Sequence, residues 1–232
     1  LADYTPDSMY IIDSGVNALM AQRAGKPKPP LGPFVYSVAT QRFSIEALSA
    51  PLTLPDDYQQ IFAVHDGRYV AIGRSGVMRY DPATRAWSTL AHTGPLPPGY
   101  DHGSVFDSTH NRIYLSGGVH DTLLDEMKTV YVYDVATSTF TKPSISGVAP
   151  RILTSNGASW TYDVANDVIV VVTTSAQTFV LNPNTWSWAS KSNMPASLGN
   201  HSAFYDPVLN AHMFFTARDG GGVYQMFAYR YH

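Results

Sequence analysis

The stretch VYVYDVATSTFTKP, residues 130–143, decides the fold, because the chain writes it four times. FVYSVATQRFSIEA begins at Phe34, VMRYDPATRAWSTL at Val77 and TFVLNPNTWSWASK at Thr178. Aligned on the residue that opens the turn, Tyr36, Tyr80, Tyr133 and Leu181 share one position, with gaps of 44, 53 and 48 residues. Seven residues after each anchor comes an aromatic: Phe43, Trp87, Phe140, Trp188. The segments between open with Ser, Asp or Asn, whose side chains bond their own backbone two residues on, and two add Pro, which presets φ. Thr40, Thr84, Thr137 and Thr185 each stand four places after their anchor. With apolar residues alternating on both sides, the unit is a β-hairpin with a connection of four to six residues.

A second signature precedes each hairpin. YDHGSVFDSTHNRIYLSGG (100–118), SNGASWTYDVANDVIVVVTT (155–174) and GNHSAFYDPVLNAHMFFTAR (199–218) each read as strand, turn, strand. Asp107, Asp163 and Asp206 close the first strand. ADYTPDSMYIIDSG (2–15) fits the frame with Asp3 in that place, and QQIFAVHDGRYVAIGR (59–74) is a shortened version. Each unit is therefore four strands. One four-stranded unit buries only one face, and a period of 40–50 residues with four strands per unit is that of a β-propeller. The expectation is an all-β, five-bladed β-propeller with four-stranded antiparallel blades, forming one domain over residues 1–232. The blades are expected at 1–55, 57–98, 100–145, 155–192 and 199–232. The last blade is incomplete, because MFAYRYH (226–232) stops after its third strand. A flank before Leu1 is expected to complete it, or the blade stays three-stranded, or the chain is part of a larger ring.

Composition agrees. Charged residues are 14% of the 232, well below the roughly 25% of ordinary domains. Aromatics are 12%, including 15 Tyr, and suit pleated surfaces. A formal net charge of −3 gives no electrostatic attraction to nucleic acid or an anionic membrane. No apolar run approaches the roughly 18 residues of a membrane span. The absence of cysteine excludes disulfides, thiolate metal sites and thiol nucleophiles. The first residue is Leu1, and a leader removed in export is the expectation, which places the protein outside the cell or in a periplasm.

The units resemble kelch repeats. HGSVFDSTHNRIYLSGG (102–118) carries the double glycine Gly117–Gly118 after its second strand, and VYVYDVATSTFTKP carries the Tyr–Asp pair and, six residues after Asp134, an aromatic. The other units are degenerate at the diglycine: DSG, IGR, TTS and ARD stand in its place. The resemblance implies a propeller of the galactose-oxidase-like kind. It does not imply one activity, since such folds serve as binding scaffolds and as enzymes. The Tyr–Cys radical cofactor of galactose oxidases is excluded by the missing cysteine. The small kelch-like sialic acid mutarotases offer a precedent that needs acid and base residues only.

In a propeller, the second-to-third-strand loops surround the channel mouth, the default ligand site. These loops are expected at 13–33, 73–77, 117–129, 173–178 and 217–224. The first is much the longest; its VNALMAQRAG is compatible with a short helix, and its KPKPP is stiff and basic. The candidate ligand-binding residues are His102, His201, Asp101, Asn156, His120, Arg74, Arg218 and Trp186. His102 and His201 share a repeat position at the start of the innermost strand, beside Asp101, Asn156 and Asn200. Read functionally, they form a polar ring near the axis; read structurally, they bond a neighbouring blade's backbone. His120 and Asp121, next to Asp125, Glu126 and Lys128, are types that bind metal or move protons, or simply a solvated charged loop. Trp186, beside the fourth hairpin turn, is the tryptophan expected at the surface.

No nucleophile elbow, phosphate loop or zinc-binding helix motif is present, so neither cofactor nor metal is expected and the catalytic residues are undetermined. The leading expectation is a binding module that takes a glycan or a protein on its loop face. The alternatives are a carbohydrate-active isomerase, mutarotase or lyase using His and carboxylates at the channel mouth, and a subunit of an extracellular assembly.

Overall fold

The seven-residue spacing is a cross-strand register. In a computed structural model of the chain, Tyr36 lies opposite Phe43, Tyr80 opposite Trp87, Tyr133 opposite Phe140 and Leu181 opposite Trp188. The structure describes residues 2–4, 8–11, 34–37, 39–45, 60–63, 67–73, 75–99, 102–118, 128–152, 158–196, 201–216 and 225–231. Among them the fold is all-β, with antiparallel sheets and no α-helix.

Every sheet is a meander in which each strand pairs with the next in sequence. The first holds β1 (Ala2–Tyr4), β2 (Ser8–Ile11), β3 (Phe34–Ser37) and β4 (Arg42–Ile45). The second holds β5 (Gln60–Ala63), β6 (Tyr69–Gly73), β7 (Gly76–Asp81) and β8 (Ala86–Leu90). The third holds β9 (Gly103–Asp107), β10 (Arg112–Ser116), β11 (Val130–Asp134) and β12 (Thr139–Thr141). The fourth holds β13 (Ala158–Asp163), β14 (Val168–Thr173), β15 (Thr178–Asn182) and β16 (Ser187–Lys191). The fifth has three strands among the described residues: β17 (His201–Asp206), β18 (Ala211–Thr216) and β19 (Met226–Tyr229). The chain divides into two compact units, Leu1–His92 with the first two sheets and Thr93–His232 with the other three.

One turn serves seven hairpins. Asp107 Oδ1 accepts the backbone N–H of Thr109 and of His110, both at 2.9 Å. Asp163 does the same for Ala165 and Asn166, and Asp206 for Val208 and Leu209. In the outer hairpins Ser37, Asp81, Asp134 and Asn182 take this part, and the Thr of the repeat supplies its backbone N–H at Thr40, Thr137 and Thr185. Four residues after each capping side chain the backbone turns left-handed, at Gln41, Arg85, Ser138, Trp186, Asn111, Asp167 and Asn210. A capped turn closed by one left-handed residue is what returns a strand antiparallel after a short loop. Arg68 with Asp81 and Arg112 with Asp134 add the same surface ion pair across two sheets, at 3.2 and 3.8 Å. Such exposed pairs contribute little.

In the second unit the first strands of successive sheets lie side by side, β9 next to β13 and β13 next to β17. Gly103 at the start of β9 makes room for this, because a Cβ there would come 2.2 Å from Trp160 Nε1 on β13. Two apolar layers fill the spaces between sheets. Tyr114, Val130 and Val132 of the third sheet meet Trp160, Tyr162, Val171 and Trp188 of the fourth. Val168, Val170, Val172 and Val180 of the fourth meet Phe214, Phe227 and Tyr229 of the fifth. The valine run 168–172 is buried throughout, because β14 is covered on both faces.

Within the second unit, straps run along the last hairpins of the third and fourth sheets. Thr93 bridges to Thr139, accepting the Phe140 N–H at 2.8 Å and donating to the Ser138 carbonyl at 3.1 Å. Ser146 makes the same bridge one sheet later, with 2.9 Å bonds from its N–H to the Trp186 carbonyl and from the Trp188 N–H to its own carbonyl. A glycine follows each bridging residue. Gly94 and Gly147 are left-handed, and a Cβ would lie 2.0 Å from the Phe140 oxygen and 2.3 Å from that of Trp188. Only glycine combines that backbone angle with so close an approach.

Candidate functional site

One cluster of ionisable groups lies where first-strand turns of the third and fourth sheets meet. Asp107, fully buried, ends β9, and its second oxygen meets His110 Nδ1 at 2.9 Å. The same imidazole nitrogen is 3.6 Å from Asp167 Oδ1, in the equivalent turn of the fourth sheet. Asp167 also accepts the Tyr162 hydroxyl at 2.7 Å and the Asn184 amide at 2.6 Å. Burial and the neighbouring carboxylates push the Tyr162 and Tyr114 hydroxyls well above the usual tyrosine range, so both stay protonated.

Two carboxylates and an imidazole within 4.8 Å of one another are the residue types of a cation site. The next pair of sheets shows what the arrangement does without such types. There Asn166 Nδ2 donates to Asp163 Oδ2 at 2.9 Å, replacing His110, and the Tyr205 hydroxyl donates to Asn210 at 2.7 Å, where Asp167 stands one sheet earlier. The same three positions are filled there by Asp, Asn and Asn, one carboxylate in place of two and no imidazole, and the turn bonds are kept.

A second cluster is a hydroxyl, an imidazole and a carboxylate in line. Thr161 Oγ1 meets His212 Nδ1 at 2.7 Å, and His212 Nε2 faces Asp163 Oδ2 at 3.4 Å. Such a chain activates a nucleophile when substrate reaches the hydroxyl. Here it does not: Thr161 is 3% exposed and both His212 and Asp163 are 0% exposed. Burial alone would raise the Asp163 carboxyl, but hydrogen bonds from the Asn166 side chain and backbone outweigh it and hold the group below its ordinary range. Burial lowers the His212 imidazole, against the opposing pull of Asp163. The trio locks β13 of the fourth sheet to β18 of the fifth.

Of the residues the sequence singled out, His102 is buried just before β9, with its Nε2 2.9 Å from the Pro98 carbonyl oxygen. His201 opens β17 at a backbone register opposite Thr216. Trp186 is half-buried rather than surface-exposed, its ring 6.3 Å from that of Tyr114 and packed on the core between the third and fourth sheets. Asp101, Asn156, His120, Arg74 and Arg218 lie outside the described residues, as do the side chain of His201, loop 13–33 and the Asp121, Asp125 and Glu126 group. Sequence reasoning missed His212, Thr161 and His110. His212 had a signal: its repeat position is isoleucine in the two preceding sheets, Ile113 opposite Phe106 and Ile169 opposite Tyr162.

No family model matches the chain, and no curated protein matches it either.

Proposed function

We propose that this chain is a kelch-like, five-bladed β-propeller that works as a binding module for a glycan or a protein, outside the cell or in a periplasm. Recognition takes place on the face carrying the second-to-third-strand loops, without chemical turnover. The radial reading draws support from the three sheets of the second unit, whose first strands run side by side while each sheet meanders away from them. The fifth sheet adds to it. Its face away from the fourth carries Phe204 and Phe215, stacked at 5.7 Å, with Met213 and Ala228 lining a shallow groove of about 420 Å³. A face of that composition is one a sheet turns to a further sheet, as a ring requires.

One observation carries the non-catalytic reading. Among the described residues, Asp107, His110, Asp167, Asp163 and His212 are all engaged in turns and sheet-to-sheet bonds. A catalytic acid or base must be reachable by substrate, and Asp107, Asp163 and His212 are 0% exposed. The test is a glycan array followed by NMR of every bound sugar. The expected result is saturable binding with the sugar recovered unchanged, or no sugar binding and a protein partner instead. Catalytic interconversion or cleavage of a bound sugar would overturn the proposal.

A further inference from the structure

The fifth sheet departs from the repeat at one core position. Where Ile113 and Ile169 are buried apolar side chains, His212 places an imidazole that is 0% exposed. Its surroundings fit a neutral ring. Thr161 Oγ1 is 2.7 Å from His212 Nδ1 and 3.3 Å from the Val170 carbonyl oxygen, so hydroxyl and imidazole share one hydrogen bond. Nε2 has no hydrogen-bond partner, although Asp163 Oδ2 is 3.4 Å away. One Asp163 oxygen also caps Ala165 and Asn166, and the other takes the Asn166 amide.

The remaining groups facing the imidazole bring no help to a second proton. Tyr205 of β17 and Tyr229 of β19 present tilted rings at 5.1 and 6.0 Å. Both hydroxyls stay protonated in acid and at neutral pH, and burial keeps them so. Asp206 sits at the end of β17, where its oxygen caps its own turn. A second proton on the ring creates a cation with no water, facing Asp163 Oδ2 at 3.4 Å, and the desolvation of such a buried pair can exceed its Coulombic gain.

We propose that His212 is an acid-released latch: protonation of its buried imidazole frees the fifth sheet from the fourth. A proton from solvent binds the free ring nitrogen, and hydration favours the imidazolium over its dry pairing with Asp163, so protonation favours the state in which β18 has left β13. The latch opens as pH falls below about 6.5, the ordinary imidazole value, with up to a tenfold shift in the closed-to-open ratio per pH unit.

The experiment is hydrogen exchange read residue by residue at pH 7.5 and 5.0, corrected for intrinsic rates, on the whole chain. Amides of β18 and β19 are expected to lose protection at least tenfold more than those of β10 and β11. His212→Ile, which installs the residue the repeat itself uses, is expected to abolish the difference. His212→Gln, which keeps a polar atom for Thr161, gives the same answer should the isoleucine variant misfold. NMR titration of the wild-type imidazole decides independently of either variant, with a midpoint expected below 6.5. Equal protection of the fifth sheet at both pH values, an unchanged pH response in both variants, or a midpoint at or above 6.5 would each overturn the proposal.

Discussion

Replacing Gly147 by alanine tests the straps that join successive sheets. At φ +86° the alanine pays the left-handed penalty of about 1–2 kcal/mol. Its Cβ would also sit 2.3 Å from the Trp188 carbonyl oxygen, where ordinary contact begins at 3.4 Å. That oxygen belongs to the sheet backbone and has little freedom to retreat, so the strap must lift instead. Lifting breaks the two 2.9 Å bonds of Ser146 with Trp186 and Trp188, each contributing about 1 kcal/mol. The expected loss is about 3 kcal/mol, read by urea unfolding followed through tryptophan fluorescence. Gly67→Ala is the control. Gly67 has φ +74° but nothing within 4 Å of the added carbon, so it should cost only the conformational share, about 1 kcal/mol. If Gly147→Ala costs no more than Gly67→Ala, the straps do not hold the sheets and the reasoning is wrong.

Other outcomes follow from the same geometry. Trp188→Ala removes a buried indole between the third and fourth sheets and should cost about 3–5 kcal/mol in the same urea assay. Ser138→Gly relieves a left-handed residue at φ 53° and should stabilise by up to about 1 kcal/mol, seen as a higher urea midpoint. The Asp163 carboxyl lies below its ordinary range in the folded state. The stability it supplies is present above about pH 4 and lost as pH falls through the folded value, a limb that Asp163→Asn should flatten in acid titrations of stability.

The hairpins were legible because their determinants are local. An anchor and an aromatic seven residues apart face each other across a short turn, and Asp, Asn or Ser at the turn's start bonds backbone within three residues. The straps were not, because Thr93–Gly94 and Ser146–Gly147 read as ordinary turn dipeptides. Their partners lie 46 and 40 residues onward. The Thr161–His212 pair spans 51 positions, and only comparison of repeat positions marks His212 as unusual. Trp186 was misjudged for a related reason. Its place beside a turn suggested solvent, yet the ring folds back on Tyr114 of the preceding sheet. The His102 side chain, read as one member of a ring near the axis, bonds the Pro98 carbonyl four residues away.

A crystal structure tests the proposed architecture most directly. The account predicts that the first strands of all five sheets surround one axis in chain order, with the second-to-third-strand loops gathered at one end of it. Sheets stacked face to face as a two-layer sandwich, or β1 and β5 placed away from the axis that β9, β13 and β17 share, would contradict it.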